Sequence, residues 1–156
     1  MTPTPPPPQP PVTPVTPEAL SDLIVRGDAD GVARALSDSP ALVAARTADG
    51  DQPLHVACWQ KQLEIVGQLV SFGPDLDARG CYGRTPLHYA VHEGRMISVP
   101  IVSLLLSLGA DPGLKDNQGF TPADWARVEM HDGLAEVLAL LGGGPPAKPA
   151  KPAKPG

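Results

Sequence analysis

Cysteine is nearly absent from this chain. Cys58 and Cys81 are its two thiols, and their spacing is not that of a metal-binding pair. That excludes a disulfide framework and points to a reducing setting, so a cytoplasmic location is expected. No run approaches the roughly 20 apolar residues that a bilayer span requires, so no membrane association is expected. The N-terminus has neither a basic stretch nor an apolar one, so a secretory signal is not expected either. Residues 1–17 contain nine of the 21 prolines and no charged side chain. Residues 142–156 run Gly-Gly-Gly-Pro-Pro and then through Lys148, Lys151 and Lys154 in Pro-Ala-Lys steps. Neither end has enough apolar surface to offset its ordering entropy, so both are expected to be disordered. The folded part is then 18–141.

Basic charge is also short there. Nine basic residues against 17 acidic ones leave residues 18–141 at −8. Such a segment is a poor match for a phosphate backbone, so nucleic-acid binding is not expected.

What the middle does contain is a repeat. Thr85-Pro86-Leu87-His88 recurs as Gln52-Pro53-Leu54-His55 and as Thr121-Pro122-Ala123-Asp124. Pro53 and Pro86 are 33 residues apart, and Pro86 and Pro122 are 36 apart. A period of this size means stacked supersecondary units rather than one central core. Within 80–111, Gly83 gives a tight turn and Thr85 caps a helix. Pro86 sits at the first helical position, where its missing N–H does no harm. Leu87, Ala90 and Val91 form an apolar stripe, and Gly94 stops the helix. A second helix carries Ile101, Leu104, Leu105 and Leu108 at i, i+3, i+4, i+7, and Gly109-Ala110-Asp111 ends it.

Residues 83–91 and 101–111 resemble the ankyrin repeat pattern closely. Residues 50–58 with 63–66 match it nearly as well, and 119–126 match the start of a last repeat, with Asp124 in the His place. A worn first repeat fits 20–36, with Gly27-Asp28 in the turn and Val32, Ala35 and Leu36 facing inward. The resemblance covers 18–141. It implies an all-α solenoid of stacked helix-turn-helix units in four repeats, about 18–46, 47–79, 80–115 and 116–141. The second repeat departs most from the pattern. Gln52 replaces the capping Thr, Lys61 replaces the turn Gly, Gly67 lies inside a helix and Pro74 replaces an Ala. It is therefore expected to open most easily. Three extra residues before Pro100 belong in a turn, Arg95–Ser98, which is expected to protrude.

Chemical motifs are sparse. The resemblance implies that His55 and His88 each bond backbone across a turn. His88 and His92 have helical i, i+4 spacing, but no third metal ligand is placed nearby, and His131 reads as a surface residue. Asp75, Asp77 and Asp111 read as turn residues, too few for calcium. No nucleophile–base–orienter set is legible, so no catalysis, cofactor or metal is expected.

The aromatics are the sharpest signal. Trp59, Tyr82 and Phe120 fall at positions that the family leaves variable, on the concave side where its partners bind. Tyr89 and Trp125 lie one short-helix step away, with His92 beside them, while Phe72 reads as core. Asp49, Asp51, Arg84 and Glu93 would form a charged rim. Glu18, Asp22 and Arg26 would make the outer side of the first repeat polar, and Glu129 and Glu136 that of the last. The alternative is that these rings simply pack between repeats. The expected function is binding of another protein by a monomer, either as an interaction module or as an inhibitor or scaffold that occludes a partner's active site.

Overall fold

The structure is a computed structural model that describes residues 2–8, 14–92, 97–129 and 134–141. It is all-helical, with no strand among the described residues. The helices come in pairs: α1 (Pro17–Arg26) with α2 (Ala29–Asp38), α3 (Pro53–Trp59) with α4 (Leu63–Ser71), α5 (Pro86–Val91) with α6 (Val99–Ser107), and α7 (Pro122–Glu129) with α8 (Leu134–Leu140). The first members pack in a row, α1 on α3, α3 on α5 and α5 on α7. The second members form a parallel row, α2 on α4, α4 on α6 and α6 on α8. Each pair leaves its apolar sides for its neighbours, so the core is one strip along the stack, running from Leu20 and Ile24 to Val137 and Leu138.

Local chemistry explains the elements. The hydroxyl of Thr16 accepts from the Ala19 amide at 3.2 Å and caps α1, with Pro17 in the first turn. Helical order thus begins at Pro17, and Val15 already packs on the core. Gly27 takes φ 73° at the end of α1, a left-handed turn that suits glycine. Val32, Ala35 and Leu36 are buried, as the pattern requires. Residues 2–8 take no regular structure and are exposed, and 142–156 lie outside the described residues.

The repeat histidines hold the stack together. Nδ1 of His88 accepts from the Thr85 amide at 3.0 Å, and its Nε2–H donates to the Phe120 carbonyl of the next repeat at 2.8 Å. His55 does the same between the Gln52 amide (3.1 Å) and the Ala78 carbonyl (2.8 Å). Burial pulls both imidazoles below the usual histidine value, outweighing the opposing effect of those carbonyls. In the last repeat Asp124 replaces the His. It accepts from the Thr121 amide at 3.0 Å and hydroxyl at 2.9 Å. This short carboxylate completes the cap locally, within the Thr121–Asp124 turn.

Two arginines add a ladder on the same period. Nη1 of Arg46 donates to the Gly50 carbonyl at 2.7 Å and to the Arg79 carbonyl, one repeat on, at 2.6 Å. Arg79 repeats this with Gly83 at 3.4 Å and Lys115 at 2.6 Å. The 33-residue spacing of Arg46 and Arg79 equals the repeat period and is the sign of this ladder in the sequence.

Several expectations need correction. Phe72 is not core. It sits at the C-cap of α4 and is 37% exposed, and Leu108, 36 positions on at the C-cap of α6, is 49% exposed. Both helices end before their apolar period does. Ile97 does not protrude but is buried in the core, while Arg95 and Met96 lie outside the described residues. Pro100 sits in the first turn of α6, where no amide is missed.

Candidate functional site

The turn tips and the exposed sides of α1, α3, α5 and α7 form the ribbed inner face. A hollow of about 250 Å³ opens there between the second and third repeats. Six of the residues expected to meet a partner line it: Asp49, Asp51, Trp59, Tyr82, Arg84 and Tyr89. Val56, Cys81 and His55 complete the wall.

These side chains differ in what they can offer. Trp59 ends α3 and is 37% exposed, and its ring meets Tyr89 edge-on at 5.7 Å. Tyr82 tips the third turn and is 64% exposed. Its φ of 56° lies in the left-handed region, which costs a non-glycine residue about 1–2 kcal/mol. Gly83 follows at φ 69°, and a Cβ there would run into Asn117. The Arg84 guanidinium lies 5.3 Å from the Tyr82 ring centre and 5.0 Å from that of Trp125, with the Asp116 carboxylate 3.9 Å away.

Tyr89 and His92 are buried; Tyr89 lines the hollow as its floor, while His92 does not line it. The Tyr89 hydroxyl donates to Asp51 at 2.9 Å. Burial, with the Asp51 charge beside it, pushes that phenol far above its usual range. Asp51 is accordingly no simple rim charge, since it also accepts from the Cys81 amide at 2.8 Å and ties the second repeat to the third. Asp49 is exposed, as expected of a rim. Glu93 lies outside the described residues, as does His131.

Phe120 and Trp125 stand apart from this hollow, half-buried, with ring centres 5.2 Å apart. Trp125 donates its indole N–H to Asp116 at 2.8 Å. Burial alone would raise Asp116. That indole bond and the Phe120 and Gln118 amides outweigh it and hold the carboxyl below its usual range. His92 bridges the two groups, with ring centres 5.8 Å from Trp59 and 4.4 Å from Trp125. The aromatics thus form a row across repeats two to four.

Toward the first repeat the face changes character. A second hollow of about 280 Å³ shares Asp49, Asp51 and Val56 with the first and is walled by Glu18, Asp22, Val25 and Thr47. Glu18 and Asp22, expected on the outer side of the first repeat, border this inner trough instead. Their one-turn spacing places them on the side of α1 that meets the second turn tip.

Neither thiol suits catalysis. Burial pushes Cys58 up to about 12 against the lowering effect of Lys61, and Cys81 is half-exposed without a disulfide. No group of three metal-ligating side chains occurs among the described residues. His88 has both ring nitrogens engaged by backbone. No helix among the described residues is long and apolar enough to cross a membrane.

Helix pairs stacked in register, with a ribbed inner face, define a solenoid repeat protein. A profile of the family described as ankyrin repeats (3 copies) matches residues 20–116 and, in a second placement, 54–143. The chain belongs to the ankyrin repeat family, whose repeats generally serve as protein-interaction modules and are typically non-enzymatic. It is similar to a putative ankyrin repeat protein of Acanthamoeba polyphaga mimivirus, 39% identical over 84 residues, covering 54% of this chain and 10% of that protein. It is also similar to zinc finger CCCH domain-containing protein 50 of Oryza sativa subsp. japonica, 34% identical over 142 residues, covering 80% and 22%. The ARF GTPase-activating protein GIT2 of Homo sapiens is 37% identical over 91 residues, covering 58% and 12%. The chain thus spans between about a tenth and a fifth of these relatives' own length.

Proposed function

We propose that this chain binds another protein through its concave face, without catalysis, and that the hollow between Trp59 and Tyr82 is the centre of the contact. The observation that carries this reading is Tyr82. A large ring is held out in solvent at a turn tip, on a backbone conformation that disfavours it, and an arginine is stacked over it. Stability alone would favour glycine or asparagine there, so the strain fits selection for what the ring touches. Trp59 across the hollow supplies the second anchor, and Trp, Tyr and Arg are the residue types most often dominant in interfaces. The stacked repeats hold both rings in place before contact, so little ordering entropy is lost on binding. We place this binding in the cytoplasm and assign it to a monomer.

Affinity capture from an extract of the native cells tests the reading. A Trp59→Ala/Tyr82→Ala variant is the control, checked for folding by circular dichroism and Tm. The expected result is a captured protein that the folded double variant loses. Undiminished capture by that variant would place the contact elsewhere.

A further inference from the structure

We infer that the concave trough takes an extended peptide segment carrying one basic and one bulky apolar residue three positions apart. This rests on the reading of that face as a protein-binding surface and specifies what it recognises.

The two hollows are neighbours, joined at Asp49, Asp51 and Val56, and they differ in chemistry. The hollow beside Trp59 and Tyr82 is walled by rings. The one beside Glu18 and Asp22 is walled by carboxylates. Asp51 is committed to Cys81 and Tyr89. Asp22 pairs with Arg26 at 2.9 Å, but both side chains are largely exposed, so the pair is weak and exchangeable. Glu18 and Asp49 are exposed, and neither takes a hydrogen bond or an ion pair among the described residues.

Arg84 is the one basic residue lining either hollow among the described residues, and its guanidinium already lies over two rings beside Asp116. The acidic end therefore has the charges of Glu18 and Asp49 to offer, unpaired among the described residues, and the cation beside it, Arg26, is held only by an exposed pair with Asp22. The excess of acid across residues 18–141 points the same way and opposes an anionic ligand.

The spacing follows from the fold. Packed helices lie about 8–10 Å apart, so the two hollows, set over successive inner helices, are offset by about that distance. A polyproline-type peptide advances about 9 Å in three residues and returns to the same edge. Residues i and i+3 of such a peptide would both point into the trough, one at the rings and one at the carboxylates. A flat β-strand would send i and i+3 to opposite sides. The chain's own tail presents Lys148, Lys151 and Lys154 at this spacing but has no bulky apolar residue among them. A peptide of its sequence is therefore a control for the apolar half.

The test uses the full chain and fluorescein-labelled Pro/Ala peptides, each with one Arg and one Leu, separated by one to four positions. Anisotropy should show the three-position peptide binding about ten-fold tighter than the other registers, than its Arg→Glu counterpart and than the tail peptide. Raising salt from about 50 to about 300 mM should weaken it several-fold. Glu18→Lys with Asp49→Lys should abolish binding, and Glu18→Gln with Asp49→Asn should weaken it with Tm unchanged. Equal affinity for Arg and Glu peptides, indifference to register, or no binding by any peptide would overturn the inference. If capture of a native partner depends on Trp59 and Tyr82 but ignores the charge variants, the binding face stands and the basic-residue inference falls. If capture ignores all four residues, both fall.

Discussion

The second and third repeats are neighbours with nearly opposite characters. The second departs from the family pattern at Gln52, Lys61, Gly67 and Pro74, and read alone it is the weakest unit. The structure shows what those odd residues reach. Nζ of Lys61 donates to the Tyr89 carbonyl at 2.5 Å and to the Ala90 carbonyl at 2.8 Å, near the end of α5. Nε2 of Gln62 donates back to the Ile24 carbonyl of the first repeat at 2.7 Å. Nε2 of Gln52 donates to the Ala44 carbonyl at 3.3 Å. The third repeat keeps its Thr, Pro, His and glycines, yet it carries the strained Tyr82. A departure from consensus therefore has to be judged against the next repeat along. The regular unit is where stability gives way to exposed chemistry.

The largest expected effect tests what the two repeats share. His88→Ala leaves the Thr85 amide and the Phe120 carbonyl unpaired, and should lower stability by about 2–4 kcal/mol in chemical denaturation. His55→Ala should lose as much, despite the worn repeat around it, and a loss below half would show the second cap to be defective. The same histidines set a pH dependence. Their folded values lie below the ordinary 6.5, so in that window the unfolded chain binds more protons. Tm should hold above about pH 6.5 and fall as pH drops below it, with a shallower fall in either variant.

Lys61 tests the compensation in the second repeat. Its φ of 57° is left-handed, so it combines backbone strain with bonds to α5. Lys61→Ala keeps the strain and loses the bonds, for a loss of about 2 kcal/mol. Lys61→Gly should be less harmful by about 1 kcal/mol, because glycine fits that turn. A gain in stability from Lys61→Gly would mean that the contacts to α5 contribute nothing.

Tyr82 sharpens the contrast from the other side. Tyr82→Asn should raise stability by about 1 kcal/mol while lowering partner affinity, since asparagine tolerates the left-handed region. The smallest effect belongs to Gly67, whose surroundings leave an added Cβ free of contact within 4 Å. Gly67→Ala should stabilise by about 0.5–1 kcal/mol, read as slower amide exchange along α4.

Much of this architecture was legible because the repeat writes it locally. Turn glycines, first-turn prolines and capping histidines act within a few residues of themselves, and the period repeats the message. What escaped depended on where one unit meets the next. Asp51 read as a rim charge because nothing nearby in sequence reveals its Tyr89 partner, 38 positions away. Lys61 read as a defect for the same reason. Phe72 and Leu108 misled because an apolar period continues one step past the point where each helix ends. Glu18 and Asp22 read as a polar cap because a sequence does not show which side of a terminal helix overhangs the neighbouring turn. Of the residues named for the candidate site, Trp59, Tyr82 and Asp49 are exposed, whereas Tyr89 and His92 are buried, which their sequence positions did not reveal.

The Arg46–Arg79 ladder gives the stack a direction. Arg46 and Arg79 each extend a head group toward the unit that follows, so the second repeat has a socket at one end and a plug at the other. A segment such as 47–79 carries both fittings. A spare copy spliced in after Arg79 would find a matching joint on either side, and the protein could grow longer without a new kind of seam.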